Sequence, residues 1–272
     1  MADSVPGFVH LHNHSTYSLL DGAQRIDEMC ARAAEDGQTA IAITDHGNLF
    51  GAMEFGAKAA RHGLQPIIGI EAYVAPGSRH DKQTRTIAGL GRTNYHHLIL
   101  LARNYTGFKN LIKLSSAGYL EGFYYRPRID KELLEEHSEG LICTSACLAG
   151  EVASFLRNER YDLARTAAGG YRDLFGQDGF WLEIQDHGLE DQKRVNEGIR
   201  QLASELGIGV VASNDCHYLL PGDHEAHDVL VCIQTGKTVH TPNRITYTGQ
   251  HYLKTRAEMA SLFSWIPEAV EN

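Results

Sequence analysis

Ala40-Ile41-Ala42-Ile43-Thr44-Asp45-His46-Gly47 is an apolar run that closes in a turn carrying a carboxylate and an imidazole. A short, continuous apolar run, partly β-branched, reads as a buried strand of the kind found in parallel sheets. The pattern recurs: Phe8–Leu11 ends in His12-Asn13-His14, and the last such run ends in Asn214-Asp215-Cys216-His217. The full set of strand candidates is Phe8–His12, Ala40–Thr44, Pro66–Val74, Leu98–Ala102, Leu141–Thr144, Phe180–Ile184 and Val210–Ser213. Helical patterns lie between them. Ala23–Glu35 carries Ile26, Met29, Cys30 and Ala33 at helical spacing before Gly37, and Phe50–His62 ends at Gly63. Leu189–Leu206 sets Val195, Ile199, Leu202 and Leu206 on one stripe and stops at Gly207,. Alternating strands and helices predict an α/β fold with a parallel sheet. Seven units predict an irregular barrel, with an open doubly wound sheet as the alternative.

Composition bounds the function. The 272 residues fit one large domain, and 43% hydrophobic content suits a buried core,. No apolar stretch is long enough to span a membrane. Met1–Pro6 lacks the basic and hydrophobic segments of a signal peptide,. Five irregularly spaced cysteines form no disulfide framework, so a reducing cytoplasm is expected,. The formal charge of −9 opposes free-standing nucleic-acid binding unless metal ions or another domain offset it,.

Imidazole and carboxylate at strand ends are what a zinc, manganese or iron site uses. His12, His14, His46, Glu71, Asp215 and His217 all fall at or just after such ends, where barrels collect functional groups,. His12-x-His14 and Asp215-x-His217 place alternate side chains on the same face of an extended segment. Glu71 interrupts the run Ile67-Ile68-Gly69-Ile70, and a buried carboxylate there needs a cation. Asp21 precedes the first helix, where it is either an N-cap or a ligand. His224-Glu225-Ala226-His227 has the wrong spacing for a zinc-protease helix and reads as a solvated helix start. Cys30 and Cys232 read as inert core thiols. Gly77–Asn94 reads as a mobile basic loop carrying Arg79, Lys82, Arg85 and Arg92, while Phe123–Arg128 mixes aromatics with arginines. After His217 the alternation stops, leaving helix candidates at Ala226–Gln234 and Arg256–Phe263.

The segment His12-Asn13-His14-Ser15-Thr16-Tyr17-Ser18-Leu19-Leu20-Asp21-Gly22 resembles the opening motif of the PHP (polymerase and histidinol phosphatase) superfamily. More closely, it resembles the N-terminal PHP domain of bacterial DNA polymerase III alpha subunits. So are Thr44–Gly51, Gly69–Tyr73, Thr106–Leu111, Asn214–Tyr218 and Gln234–Lys237. The resemblance runs over nearly the whole chain. It implies a distorted seven-stranded (βα)7 barrel with a metal site at the C-terminal ends of the strands. It further implies one domain over 1–272, with 218–272 extending towards polymerase modules beyond Asn272.

The resemblance also implies three divalent ions, zinc or manganese with iron as a further option. His12, His14, Glu71 and Asp215 would hold one; Glu71, His97 and Cys147 a second; Asp21, His46 and His217 the third. His97 and Cys147 come from the resemblance alone. A thiolate ligand favours zinc or another transition metal over magnesium. The expected activity is metal-dependent phosphodiester hydrolysis, a 3′-5′ exonuclease on the 3′ end of a DNA primer strand, with a metal-activated hydroxide as nucleophile between His12, His14, Glu71 and Asp215. Asp45 and His187 are expected as supporting or substrate-contacting groups. A small-molecule phosphomonoesterase of the histidinol-phosphatase type, a pyrophosphatase and a non-catalytic docking domain are the alternatives. The expected partners are DNA, the polymerase modules of the parent chain and, through them, a proofreading exonuclease subunit and the sliding clamp, with no membrane partner.

Overall fold

Six of the seven apolar runs become strands of one curled sheet. In the computed structural model, which describes residues 7–272, β1 spans Ala40–Ile43, β2 Gln65–Val74, β3 Arg85–Ile87, β4 Gly91–Thr93, β5 His96–Ala102, β6 Arg128–Ile129, β7 Leu141–Thr144, β8 Phe180–Ile184 and β9 Val210–Ala212. The helices are α1 Ile26–Glu35, α2 Ala52–Arg61, α3 Tyr105–Leu120, α4 Lys131–His137, α5 Glu151–Arg157, α6 Tyr161–Phe175, α7 Glu190–Leu206, α8 His224–Thr235, α9 Arg256–Leu262 and α10 Glu268–Glu271. The reading of Met1–Pro6 lies outside the described residues. No helix among the described residues is long and apolar enough to cross a membrane.

The strand order is β1-β2-β5-β7-β8-β9, with the short β6 paired to β2. β1–β2, β7–β8 and β8–β9 are parallel, but β5 is antiparallel to both β2 and β7, which corrects the all-parallel expectation. The cause is the connection. No helix separates β2 from β5; the β3–β4 hairpin does, so the chain re-enters from the end at which it left,. That hairpin also corrects the reading of Gly77–Asn94 as a mobile basic loop. Arg79 pairs with Asp130 at 3.0 Å and Glu121 at 2.7 Å, Lys82 donates to the Glu121 carbonyl, and Arg85 pairs with Asp81. Three of its four cations are engaged within the chain.

Phe8–His12, the seventh run, forms no regular strand. It ties the first and last strands together. Ala42 N donates to His10 O at 2.9 Å and Thr44 N to Asn13 O at 2.9 Å, while Cys216 N donates to His12 O at 3.1 Å and His14 N to Cys216 O at 2.8 Å. Side chains replace part of the ladder. Asn13 Nδ2 donates to His10 O and Ala42 O, and Thr44 Oγ1 accepts from Asn13 N. The helix expected from Ala23 starts at Ile26, because Ala23 N donates to His217 O and Gln24 bridges Ser15. Its N-cap position is Arg25, so Asp21 is not a cap and its side chain is free for other work. α7 ends as expected on Gly207, whose φ of 66° suits glycine,.

The larger core packs Ile70, Leu98, Leu100, Phe180 and Leu182 of the sheet against Leu111 and Leu114 of α3 and Ile199 and Leu202 of α7. Met259, Phe263 and Val270 join it from α9 and α10 and the residues between them. A second cluster sets Ile41 and Ile43 against Met29 of α1 and Phe55 of α2. Cys30 and Cys232 are buried, and burial pushes the Cys30 thiol up to about 12.

Candidate metal centre

Three histidines reach the centre of the fold with one ring nitrogen already committed. His12 Nδ1 lies 2.7 Å from Glu183 Oε1, His14 Nδ1 2.9 Å from Ser18 Oγ, and His217 Nδ1 2.9 Å from the Asp215 carbonyl. An acceptor on Nδ1 fixes the proton there and leaves Nε2 as a lone-pair donor. In all three rings Nε2 is buried without a well-aligned hydrogen bond, as are Asp215 Oδ1 and the pair His46 Nδ1 and Glu71 Oε2, which lie 2.6 Å apart.

These orphaned atoms face one another. His12 Nε2 is 3.3 Å from Glu71 Oε1 and 3.1 Å from Asp215 Oδ1, and His14 Nε2 is 3.2 Å from Asp215 Oδ1. Glu71 Oε1 also lies 2.9 Å from His97 Nδ1 and 3.7 Å from Cys147 Sγ. His46 Nε2 is 3.1 Å from Asp21 Oδ2, with His217 Nε2 3.8 Å from the other oxygen. The structure thus brings His12, His14, Asp21, His46, Glu71, His97, Cys147, Asp215 and His217 into one cluster, in which the ligand atoms of His14, His46 and His217, of His12, His14 and Glu71, and of His46, Glu71 and His97 lie within 4.8 Å of one another. His97 sits at the start of its apolar run because β5 is reversed: it is opposite Tyr73, two residues beyond Glu71 on β2.

The electrostatics ask for cations. Burial pushes the Glu71 carboxyl up, but His97, His46 and His12 outweigh it and hold it well below the carboxylate range. Asp215 is held low likewise, by His12 and His217 against burial. Burial and the neighbouring His46 and His217 pull His14 down to about 3. Burial and the charges of Glu71 and Asp215 push the Cys147 thiol well up, so a thiolate there needs a positive partner. Against burial, Asp215, Glu183 and Glu71 hold His12 well above the usual imidazole range, and Tyr73, Glu71 and Asp21 do the same for His46, so protons offset the carboxylates where no cation is bound. A metal ion would displace those protons; carboxylates, imidazoles and a buried thiol are the donor set of a transition-metal site, and the residues fit the group.

A cavity of about 530 Å³ opens onto the cluster, lined among others by Arg157, His187, Tyr247 and His251. His187 Nε2 contacts the Asn214 carbonyl at 2.9 Å, Gln192 holds its Nδ1, and its ring stacks on His251 at 3.7 Å. Asp45 does not line the cavity. It accepts from Ser15 N, Ser15 Oγ and Ser18 Oγ, and so orients the hydroxyl that holds His14.

Sequence reasoning missed several contributors. Glu183 is 3% exposed and takes hydrogen bonds from Gln185, Thr144 and Ser213 besides His12. His227, read as part of a solvated helix start, is fully buried, with Nε2 2.7 Å from the Asp21 carbonyl: α8 packs its first turn onto the Asp21 loop. Tyr247 Oη donates to Asp21 Oδ1 at 3.2 Å. Ligand atoms of His251, Asp215 and His217 lie within 4.8 Å of one another. Tyr247 and His251 belong to an irregular segment with no periodic signal.

A protein-family model for the PHP domain matches residues 10–187. The DNA polymerase III subunit alpha of Treponema pallidum (strain Nichols) is 49% identical over 266 residues, covering 97% of this chain and 22% of that protein. The corresponding subunit of Thermus aquaticus is 46% identical over 266 residues, covering 96% of this chain and 21% of that protein. The chain therefore spans about a fifth of these curated relatives. Among solved structures, a two-domain Bacteroides vulgatus protein with a PHP-like domain aligns at TM-score 0.48 and 16% identity, over 97% of this chain and 63% of that one.

Proposed function

We propose a function from one premise: the chain belongs to the PHP domain family. We read it as a metal-dependent phosphodiesterase that removes nucleotides from the 3′ end of DNA, acting as the N-terminal part of a cytoplasmic DNA polymerase III alpha subunit. Residues 1–272 are read as one domain whose described part is a distorted seven-stranded α/β barrel laced by residues 8–14, and 218–272 lead towards the polymerase modules. A proofreading exonuclease subunit and the sliding clamp are partners of the parent chain.

His12, His14, Glu71 and Asp215 would hold one divalent ion, Glu71, His97 and Cys147 a second, and Asp21, His46 and His217 a third, zinc or manganese before iron. Bound ions supply Lewis acidity, lower the pKa of water and offset phosphate charge. The chain's own part is preorganisation. Glu183, Ser18 and the Asp215 carbonyl fix three imidazole tautomers, and Asp45 fixes Ser18. The observation that carries this reading is the convergence of buried, unpartnered nitrogen and oxygen atoms on one point. Left without a cation, these atoms must share protons in poorly aligned contacts, and any left wholly unsatisfied would cost about 1–3 kcal/mol.

The test uses a 3′-mismatched, end-labelled oligonucleotide. Stepwise shortening should require added metal, stop with chelator, and fall at least about a hundredfold in Asp215→Asn or His12→Ala. Undiminished cleavage by both variants would sink the assignment. Phosphomonoesters and pyrophosphate run in parallel, and faster turnover of either would move the substrate class.

A further inference from the structure

Arg79 and Arg85 of the basic loop are paired with the chain's own acids, Lys82 donates to the Glu121 carbonyl, and the formal charge is −9. Neither feature would hold a polyanion near the cluster. A different surface stands beside it. Phe50, four residues after His46, is 56% exposed; Tyr119 at the end of α3 is 39% and Phe123 is 52% exposed. Their rings form a file, with centroids 6.1 Å apart at 35° between Phe50 and Tyr119 and 6.3 Å apart at 28° between Tyr119 and Phe123. Arg126 follows in the same turn, where Tyr124 N donates to the Arg126 carbonyl at 3.1 Å. Its guanidinium lies 5.8 Å over the Tyr73 ring, and Tyr73 is stacked on His46 at 5.9 Å. Asp21 adds its field to those of Tyr73 and Tyr95 on Arg126, against the pull of burial. The half-buried Arg126 therefore stands between the aromatic file and the cluster. Its neighbour Arg128 does not share this role: it is 1% exposed and spends its donors on the carbonyls of Gly122, Asn94, Arg79 and Asp81.

We infer that Phe50, Tyr119 and Phe123 form a stacking platform for unpaired nucleobases, with Arg126 receiving a backbone phosphate, so that the centre takes its strand single-stranded. The substrate rests on the phosphodiesterase reading; the platform rests on residues outside the nine donors. Stacking is indifferent to the sign of the protein's charge, every base offers a π-face, and a duplex hides its bases. An acidic surface with a file of open rings therefore selects a frayed or single-stranded end over paired DNA.

Fluorescence anisotropy in EDTA tests binding without turnover, using the 272-residue chain and a labelled oligothymidylate against a blunt duplex of equal length. The single strand should bind more tightly. Phe50→Ala and Phe123→Ala should each weaken it roughly fivefold or more, the low end for one base–aromatic stack. Arg126→Gln should flatten the log affinity against log salt slope by about 0.7. Trp265→Ala removes an exposed aromatic ring elsewhere and should change nothing. Phe50 and Phe123 are surface residues, so unchanged thermal melting certifies the variants. Duplex bound as well as single strand, or F50A and F123A binding like the parent, overturns the platform; a strip that docks another protein gives this second pattern. Binding as expected with no metal-dependent shortening removes the hydrolase reading and leaves the platform standing.

Discussion

Glu183 shows how one side chain decides the chemistry of another. Its carboxylate sits 2.7 Å from His12 Nδ1, and three further donors fill its remaining capacity. A Glu183→Gln amide keeps the shape but offers an N–H where His12 needs an acceptor, or loses its own donors on turning. We expect this variant to bind zinc roughly 10–100-fold more weakly than the parent by calorimetric titration, with its fold unchanged by circular dichroism. Equal affinity would show that the His12 tautomer is set elsewhere. Glu183 is legible by the reasoning that singles out Glu71, since it too interrupts an apolar run, Phe180-Trp181-Leu182-Glu183-Ile184. What a run cannot encode is which ring the carboxylate serves, because His12 is 171 residues away. Cys147 is less legible still. Nothing in its neighbours separates it from the other four thiols; only the loop before α5, which sets it 3.6 Å from His97 Nδ1, does.

At the scale of elements, apolar runs locate strands but are silent on direction. Leu98–Ala102 reads the same whichever way it runs, and only the hairpin in place of a crossover helix reverses β5. The Thr106–Leu111 motif, legible as a family signature, does structural work. Asn104 caps α3 by accepting from Gly107 N at 3.0 Å, and Asn110 donates to the Glu139 carbonyl at 2.9 Å. A Cβ on Gly107 would lie 1.9 Å from the Gly140 carbonyl oxygen, so α3 docks on the turn before β7 only because position 107 is bare. Gly107→Ala must push two backbones apart and should destabilise the protein by about 1–3 kcal/mol, read from the denaturation midpoint. A variant as stable as the parent would mean the contact yields freely. α1 starts later than its apolar spacing predicts for a related reason: tertiary bonds to His217 and Ser15 hold residues 23 and 24 out of the helix.

Across the whole molecule, residues early and late in the described chain meet. His10 Nε2 contacts the Lys254 carbonyl at 2.7 Å, Tyr218 bridges Tyr252, and Phe263 is fully buried in the main core. The fold keeps His10 neutral, burial pulling its pKa from 6.5 to about 4. The unfolded chain therefore takes up this proton first as pH falls. The contribution is complete above pH 6.5 and drains away towards pH 4, amounting to about 3 kcal/mol. Urea titrations across that window should show a shallower decline for His10→Gln than for the parent, and parallel curves would refute the assignment. The donors of the cluster run from His12 to His217, with His251 packed behind them. A polypeptide emerging from the ribosome thus presents imidazoles and carboxylates early but has no completed cage until Asp215 and His217 have been synthesised. Whatever reactivity the cage confers stays silent until those residues have emerged and locked into place.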